Sequence, residues 1–243
     1  MEFQCKEFSL NHSQSTMKVG TDSIMLSSLL YYSFLKYGTL QTTTPKNILD
    51  IGTGCGIIAL CSAQIFPSAN ITAIDIDKLS IEECKENFSL SKWNDRLSAI
   101  NISLEDFSKQ TNEKFDLIVS NPPYFTQSLL STNERKMLAR HNHSLSLENF
   151  VLSCMQIISK QSVIAVILPE KESMELEKLF ALQNIFLTFS YNIFSRTTNT
   201  QPIRRVTLFS SQKDTTLQEN IYIRNEDNQY TTNYKNLVSP FLL

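Results

Sequence analysis

The chain has 243 residues, of which 42% are hydrophobic and 19% charged, and this composition fits one globular domain that needs no disulfides. A formal net charge of -2 excludes an overall basic field, so a nucleic acid would have to bind a local basic patch. The five cysteines form no C-x-x-C pair, which argues against a disulfide framework and a structural zinc, and no metal is expected. Nothing resembles a signal peptide or the ~18 apolar residues of a membrane span. We therefore expect a cytoplasmic protein without a membrane partner, and a monomer.

The first predicted element is a helix over 23–37, where apolar residues recur at helical spacing. Thr21 or Asp22 would cap it, because short polar side chains accept hydrogen bonds from the first free amides of a helix. Residues 1–46 are therefore expected to form a helical cap ahead of the main sheet.

Five short apolar runs follow, with helical patterns between them. Such runs are typical of parallel strands that are covered on both faces, and their alternation with helices predicts a doubly wound, Rossmann-like α/β sheet. The predicted strands are residues 47–52, 70–76, 96–102, 115–120 and 162–169.

The last part of the chain departs from this alternation. A strand pattern over 185–194, a polar loop and a second strand over 204–210 follow without a helix, which predicts an antiparallel hairpin at the end of the sheet. Residues 47–211 would form the core of a single domain spanning 1–243. Of the 212–243 tail, residues 212–236 are polar and are expected to be loosely held, whereas the last residues, LVSPFLL, are apolar enough to dock back on the domain.

The first predicted strand runs into a glycine-rich loop, DIGTGCG, which contains Asp50, Gly52, Gly54 and Gly56. Glycines here permit a tight turn and let a ligand approach the backbone, although they could also serve only close packing. The dinucleotide fingerprint G-x-G-x-x-G needs a glycine where this chain has Ile57, which argues against NAD. The loop instead resembles the S-adenosylmethionine loop of class I methyltransferases. That resemblance implies that Asp50 faces the methionine amino group of the cofactor.

Residues after the next two strands extend the predicted cofactor site. Asp75 ends the second strand, where doubly wound folds place a carboxylate that binds ribose hydroxyls, whereas Asp77 is better suited to cap the following helix. The same resemblance implies that Ile76 lies against the adenine ring. It also implies an adenine contact after the third strand, for which Ser103 and Asp106 both remain candidates.

The fourth strand ends at Asn121-Pro122-Pro123-Tyr124, in the cleft that the glycine loop should share. The two prolines donate no backbone hydrogen bond and stiffen the chain, which would fix the Asn121 Oδ1 and the Pro122 carbonyl as two converging acceptors beside the cofactor. A planar NH2 group held by both would turn its nitrogen toward a sulfonium methyl, and Tyr124 would stack on it. Asn121, Pro122 and Tyr124 are therefore the predicted catalytic residues of an amino-group methyltransferase. A simple turn with aromatic packing is the alternative interpretation.

Over nearly its whole length the chain resembles the bacterial tRNA(Val) adenine-N6 methyltransferase family, through LDIGTGCGIIAL, DLIVSNPPYF and RHNHSLSLENFV and most clearly in MKVGTD and in the AR-H stretch after NPPY. The resemblance implies methylation of N6 of the anticodon-loop adenosine at position 37, with S-adenosylmethionine as the donor. It implies the class I strand order 3-2-1-4-5-7-6. It also places Thr21 and Asp22 beside the cofactor pocket, a role that competes with helix capping.

A tRNA partner would bind through basic residues around the mouth of the cleft, since phosphate contacts set affinity while base contacts specify. Each of these residues could instead be an ordinary surface charge. The candidates are Lys18, Arg135, Lys136, Arg140, His141, Arg196, Arg204 and Arg205.

Other acceptors fit the same motif. A protein glutamine-N5 methyltransferase would present the same planar NH2 group, but such enzymes usually carry a separate helical domain ahead of the glycine loop. An rRNA guanine-N2 methyltransferase commonly has a duplicated domain, for which this chain is short. A non-catalytic subunit that only binds adenosylmethionine or RNA would not need two converging acceptors.

Overall fold

The computed structural model of the chain describes residues 2–15, 18–37, 44–122, 145–213 and 215–242. Its strands are β1 (Glu2–Gln4), β2 (Ser9–Asn11), β3 (Asn47–Ile51), β4 (Asn70–Asp75), β5 (Leu97–Asn101), β6 (Phe115–Ser120), β7 (Ile158–Leu168), β8 (Phe186–Arg196), β9 (Arg204–Ser210) and β10 (Leu217–Arg224). Its helices are α1 (Thr21–Tyr37), α2 (Ile57–Ile65), α3 (Lys78–Leu90), α4 (Leu104–Gln110), α5 (Leu147–Ile157), α6 (Glu170–Ala181) and α7 (Thr232–Val238), with a 3-10 turn at Asn94–Arg96.

Strands β3 to β10 form one sheet in the order β10-β8-β9-β7-β6-β3-β4-β5. The strands from β3 to β7 pair in parallel, β9 runs antiparallel to both β7 and β8, and β10 adds to β8 in parallel. Without β10, this is the predicted order 3-2-1-4-5-7-6 with its terminal hairpin. The α/β fold class is confirmed.

The sheet is covered on both faces because successive residues of each central strand enter different cores. Ile48 and Leu117 belong to a core built with α1, α2 and α7, whereas their neighbours Leu49 and Ile118 belong to a second core built with α4, α5 and α6. All four side chains are fully buried. This two-sided burial explains why the strands appear in the sequence as continuous apolar runs.

Two helix starts are relevant to the functional site. Asp77 is the N-cap of α3 as predicted, and its carboxylate accepts a hydrogen bond of 2.9 Å from the backbone N–H of Ser80. Helix α1 begins at Thr21, so Thr21 and Asp22 lie in its first turn rather than ahead of it. None of the helices in the described ranges is long and apolar enough to cross a membrane.

The expectation that residues 212–236 are loosely held is wrong, whereas the apolar end of the chain docks on the fold as expected. Strand β10 extends the sheet and buries Ile221 and Ile223, and α7 packs on α1. Phe241 is fully buried and meets the ring of Tyr31 edge-on. The sequence did not indicate this strand, because polar residues surround its two inward-facing isoleucines.

Candidate active site

The glycine loop lies at the edge of the sheet where β3, β4 and β6 end. Gly52, Gly54 and Gly56 have φ values of 70°, 56° and 89°, which residues with a side chain rarely adopt. The loop is tied to β4, since the backbone N–H groups of Gly52 and Thr53 donate to the Ile74 carbonyl at 2.9 and 3.1 Å. The turn predicted from the glycines is therefore present.

The three glycines do not have the same role. A Cβ at Gly56 would lie 2.7 Å from the Phe88 ring and 2.9 Å from the Cys84 Sγ, so this glycine lets α3 pack against the loop. A Cβ at Gly52 or Gly54 would meet no atom of the described residues within 4 Å. As far as the described residues show, a ligand could therefore approach the backbone at these two glycines, while the third serves packing.

Asp50 is fully buried behind the glycine loop. Its Oδ2 accepts hydrogen bonds from the Thr53 hydroxyl at 2.6 Å and from the Ala59 backbone N–H at 3.1 Å, which fixes the loop and the start of α2. Its Oδ1 is buried and has no hydrogen-bond partner within the described residues. Burial raises the pKa of Asp50 to about 7, because the two hydrogen bonds oppose the loss of hydration only in part. A cation at Oδ1 would supply the missing partner.

Asp75 connects the loop to the next strand end. Its Oδ2 accepts from the Gly54 N–H and its Oδ1 from the Asp77 N–H, both at 2.9 Å. Burial raises its pKa in spite of these bonds. Each oxygen keeps a second lone pair for a hydroxyl donor. The adjacent Ile76 is 43% exposed, so its side chain offers a flat ligand an apolar surface.

Ser103 and Asp106 lie together at the start of α4. The Ser103 Oγ caps the helix by accepting from the Asp106 N–H at 3.1 Å, and it donates to the Asp106 Oδ2 at 2.8 Å. Asp75 pairs with Asn101 between β4 and β5, which brings the start of α4 to the same edge of the sheet. The geometry does not choose between Ser103 and Asp106 as an adenine contact.

Asn121 follows β6, and the register pairs Ser120 with Ile51, so the asparagine and the glycine loop continue from adjacent strand ends. The side chain of Asn121 is 7% exposed. Its Nδ2 donates to the Ser23 Oγ at 3.3 Å, whereas its Oδ1 is buried without a hydrogen-bond partner in the part of the chain that the structure describes. Pro122 is buried next to it. Tyr124, the third predicted catalytic residue, lies outside the described residues.

The candidate RNA contacts divide into two groups. Arg135, Lys136, Arg140 and His141 lie outside the described residues. Three of the others have side-chain partners: Lys18 Nζ donates to the His12 and Ser13 carbonyls at 2.7 Å each, Arg204 Nε pairs with Asp22 at 2.9 Å, and Arg205 Nη2 donates to the Ser190 hydroxyl at 2.9 Å. Arg196 is exposed at the end of β8. Asp22 and Arg204, predicted for two different ligands, thus bind each other.

Two residues near the site had no signal in the sequence. Glu83 on α3 is buried and holds the segment 13–15 ahead of α1. Asn87, one turn later, donates to the Asn11 carbonyl and to the Cys55 carbonyl of the glycine loop, at 2.8 Å each. Both residues would be expected on the polar face of a helix, and only the fold shows that the amino-terminal segment covers them. Within the described residues, no group of His, Cys, Asp and Glu side chains could hold a metal ion.

The comparisons with known proteins agree with this geometry. A family model described as methyltransferase small domain matches residues 33–147. The chain is 32% identical to the tRNA1(Val) (adenine(37)-N6)-methyltransferase of Bacteroides thetaiotaomicron, over 99% of this chain and 97% of that protein. The chain therefore belongs to the tRNA1(Val) (adenine(37)-N6)-methyltransferase family. The Haemophilus influenzae member is also 32% identical, over 99% of this chain and 98% of its own length. The resemblance stated from the sequence is confirmed.

Solved structures support the fold at much lower identity. A predicted O-methyltransferase from Agrobacterium tumefaciens aligns over 90% of this chain and 96% of its own with a TM-score of 0.64 and 14% identity. A ribosomal protein L11 methylase from Lactobacillus delbrueckii aligns over 86% and 96% with a TM-score of 0.53 and 16% identity. At such identities the likeness concerns the fold alone.

Proposed function

We propose that this family member transfers a methyl group from S-adenosylmethionine to N6 of adenosine 37 in tRNA(Val). The observation that carries this proposal is the Asn121 Oδ1, a buried acceptor without a partner among the described residues, one strand away from a glycine loop with open space above it. A buried amide oxygen is costly to leave unpaired, and a donor NH2 group of the substrate would supply the missing hydrogen bond.

The described residues fit S-adenosylmethionine, which when bound supplies the electrophilic methyl group. The unpartnered Oδ1 of Asp50 would accept from the methionine ammonium, and Asp75 would accept from the ribose hydroxyls. Ile76 would lie against the adenine ring, with Ser103 or Asp106 at its edge. Gly52 and Gly54 leave the backbone accessible, whereas Gly56 acts through packing.

The acceptor chemistry follows from the properties of an aromatic amine. Its two hydrogens would bind the Asn121 Oδ1 and the Pro122 carbonyl, so that the nitrogen lone pair faces the methyl group. As the N–C bond forms and the S–C bond breaks, positive charge develops on nitrogen and the two oxygens stabilise it. The proton leaves afterwards, so no strong base is required beforehand. The adenine would leave the anticodon stack and stack on Tyr124.

The tRNA would bind through the basic residues near the cleft, with Arg135, Arg140 and His141 as the main proposed contacts and Lys18 as a further one. Arg204 contributes indirectly, since its guanidinium is paired with Asp22. We further propose that the enzyme acts as a monomer, because one chain supplies every candidate residue. A tRNA substrate also supports the proposal that the enzyme acts in the cytoplasm.

Purified enzyme with labelled S-adenosylmethionine tests this proposal directly. Label should enter a tRNA(Val) transcript but not the same transcript with guanosine at position 37. Asn121→Ala should abolish transfer while calorimetry shows unchanged cofactor binding, and Asp75→Ala should weaken cofactor binding itself. Label in the guanosine transcript, or in a glutamine-containing protein instead of RNA, would contradict the adenine assignment. Equal loss of cofactor binding in both variants would contradict the roles of Asn121 and Asp75.

A further inference from the structure

The two ends of the Asn121 amide are in different states. Its Nδ2 donates to the Ser23 Oγ in a buried contact of 3.3 Å, while its Oδ1 has no partner in the described part of the chain. An asparagine at this position could turn its amide by a half rotation, which would direct two N–H donors at the substrate amine. The N–H groups of Asn121 and of the substrate amine would then repel each other, so the proposed chemistry needs the orientation in which Oδ1 faces the amine.

The backbone after Asn121 leaves its oxygen available. An asparagine oxygen commonly accepts from the N–H of a residue just after it, which forms a local turn. Pro122 and Pro123 have no N–H group, so neither can take up the Asn121 Oδ1 in this way. The prolines thus keep the acceptor free, but they do not determine which end of the amide faces the substrate.

Ser23 supplies that constraint from another part of the fold. It lies in the first turn of α1, a helix that precedes the sheet in sequence and packs on β7 and β9. The neighbouring Asp22 pairs with the Arg204 Nε on β9 at 2.9 Å, with about a quarter of each side chain exposed. The first turn of α1 is therefore tied to the sheet on one side and contacts Asn121 on the other.

We propose that Ser23 is a positioning residue for methyl transfer, which accepts from the Asn121 Nδ2 and so holds the Oδ1 toward the substrate amine. The proposal rests on the proposed function, because it assumes that Asn121 accepts from the amine. It deepens that function, since it gives α1 a part in the chemistry of a motif 98 residues away along the chain.

The test is the rate of methyl transfer to tRNA(Val) in a single turnover. Ser23→Ala should lower this rate roughly tenfold, the size expected for one hydrogen bond of about 1.4 kcal/mol. Calorimetric affinity for S-adenosylmethionine and the KM for tRNA should stay at wild-type values, and the melting temperature should fall by only a few degrees, because the Asn121 Nδ2 loses its buried acceptor. Ser23→Thr, which keeps the hydroxyl, should restore most of the rate.

Ser28→Ala is the matched control, because Ser28 is also a buried serine of α1 and its hydroxyl has no hydrogen-bond partner within the described residues. It should keep the wild-type rate. If Ser23→Ala does not fold, Ser23→Cys carries the test, since sulfur keeps the volume but is a weak acceptor.

The outcomes separate this proposal from the one on which it rests. An unchanged rate in Ser23→Ala, with the rate lost in Asn121→Ala, would overturn the role of Ser23 and leave the proposed function intact. A rate that survives Asn121→Ala would instead refute the acceptor assignment. A parallel loss of rate and cofactor affinity in Ser23→Ala would make Ser23 a cofactor residue and would also overturn the proposal.

Discussion

Two buried carboxylates in this protein have pKa values that are shifted in opposite directions. Glu83 on α3 is 3% exposed, and its two oxygens accept from the N–H groups of Ser13, Gln14 and Ser15 and from the hydroxyls of Ser13 and Ser15. Burial alone would raise its pKa, but these hydrogen bonds outweigh burial and hold the pKa of Glu83 below its ordinary value of 4.5.

Asp50 is as deeply buried but has only two donors among the described residues, both on one oxygen, and burial raises its pKa to about 7. The difference shows how to separate a structural acid from a ligand-binding acid when both are inaccessible. The oxygens of Glu83 find their partners within the protein itself, whereas we propose that the Oδ1 of Asp50 gains a partner only when the ammonium of the cofactor binds. We therefore expect opposite responses when each charge is removed.

Removal of the Asp50 charge should have the largest effect, and the property that it changes should be the affinity for the cofactor. Asp50→Asn keeps the shape but offers no charge to the methionine ammonium, so affinity for S-adenosylmethionine should fall by roughly 100-fold, about 3 kcal/mol. Without cofactor the variant should melt at the wild-type temperature or above it at pH 8, because the wild type must keep a buried carboxylate ionised there. Calorimetry and thermal melts measure both. Unchanged affinity would remove Asp50 from the site.

Removal of the Glu83 charge should instead lower the stability of the fold. In Glu83→Gln one carboxylate oxygen becomes an NH2 group that faces N–H and hydroxyl donors, so the free energy of unfolding should fall by about 2 kcal/mol. Because the pKa of Glu83 is lowered in the folded state, its stabilisation is present above the ordinary value of 4.5 and is lost as the pH falls below it. Urea unfolding at pH 7 and pH 4 checks both points. Equal loss at the two pH values would show that charge is not involved.

Cofactor affinity should also depend on pH through Asp50. In the free protein this carboxyl is largely protonated at pH 6 and must lose its proton to bind an ammonium, so affinity should weaken by roughly tenfold from pH 7.5 to pH 6. Calorimetry in two buffers of different ionisation enthalpy should show that cofactor binding releases close to one proton at pH 6 and almost none at pH 8. No proton release at pH 6 would mean that Asp50 stays protonated when the cofactor binds.

The smallest expected effect concerns the Asp22–Arg204 pair. Variants of this pair distinguish an arginine that anchors α1 from one that contacts RNA. Arg204→Gln should slow methyl transfer by roughly threefold, through a looser first turn of α1, and leave the KM for tRNA and its salt dependence unchanged. Asp22→Asn removes the same pair and should have the same effect. A higher KM with a reduced salt slope in Arg204→Gln alone would assign the arginine to RNA.

The sequence predicted most of the sheet because the central strands β3, β6 and β7 are largely apolar on both faces and helical patterns separate the strands up to β7. It indicated Asp50, Asp75 and Asn121 as candidate site residues because each polar side chain lies at the carboxyl end of an apolar strand or directly after it. It did not predict β10, whose two buried isoleucines lie among polar residues. It could not show that Ser23 contacts Asn121, since a serine in a helix carries no signal and the contact spans 98 residues.

The most direct test of the central claim is nucleoside mass spectrometry of tRNA(Val) from a strain that lacks this gene. N6-methyladenosine at position 37 should be absent from the deletion strain and restored by the wild-type gene, but not by the gene for Asn121→Ala. Undiminished N6-methyladenosine at that position in the deletion strain would contradict the assignment.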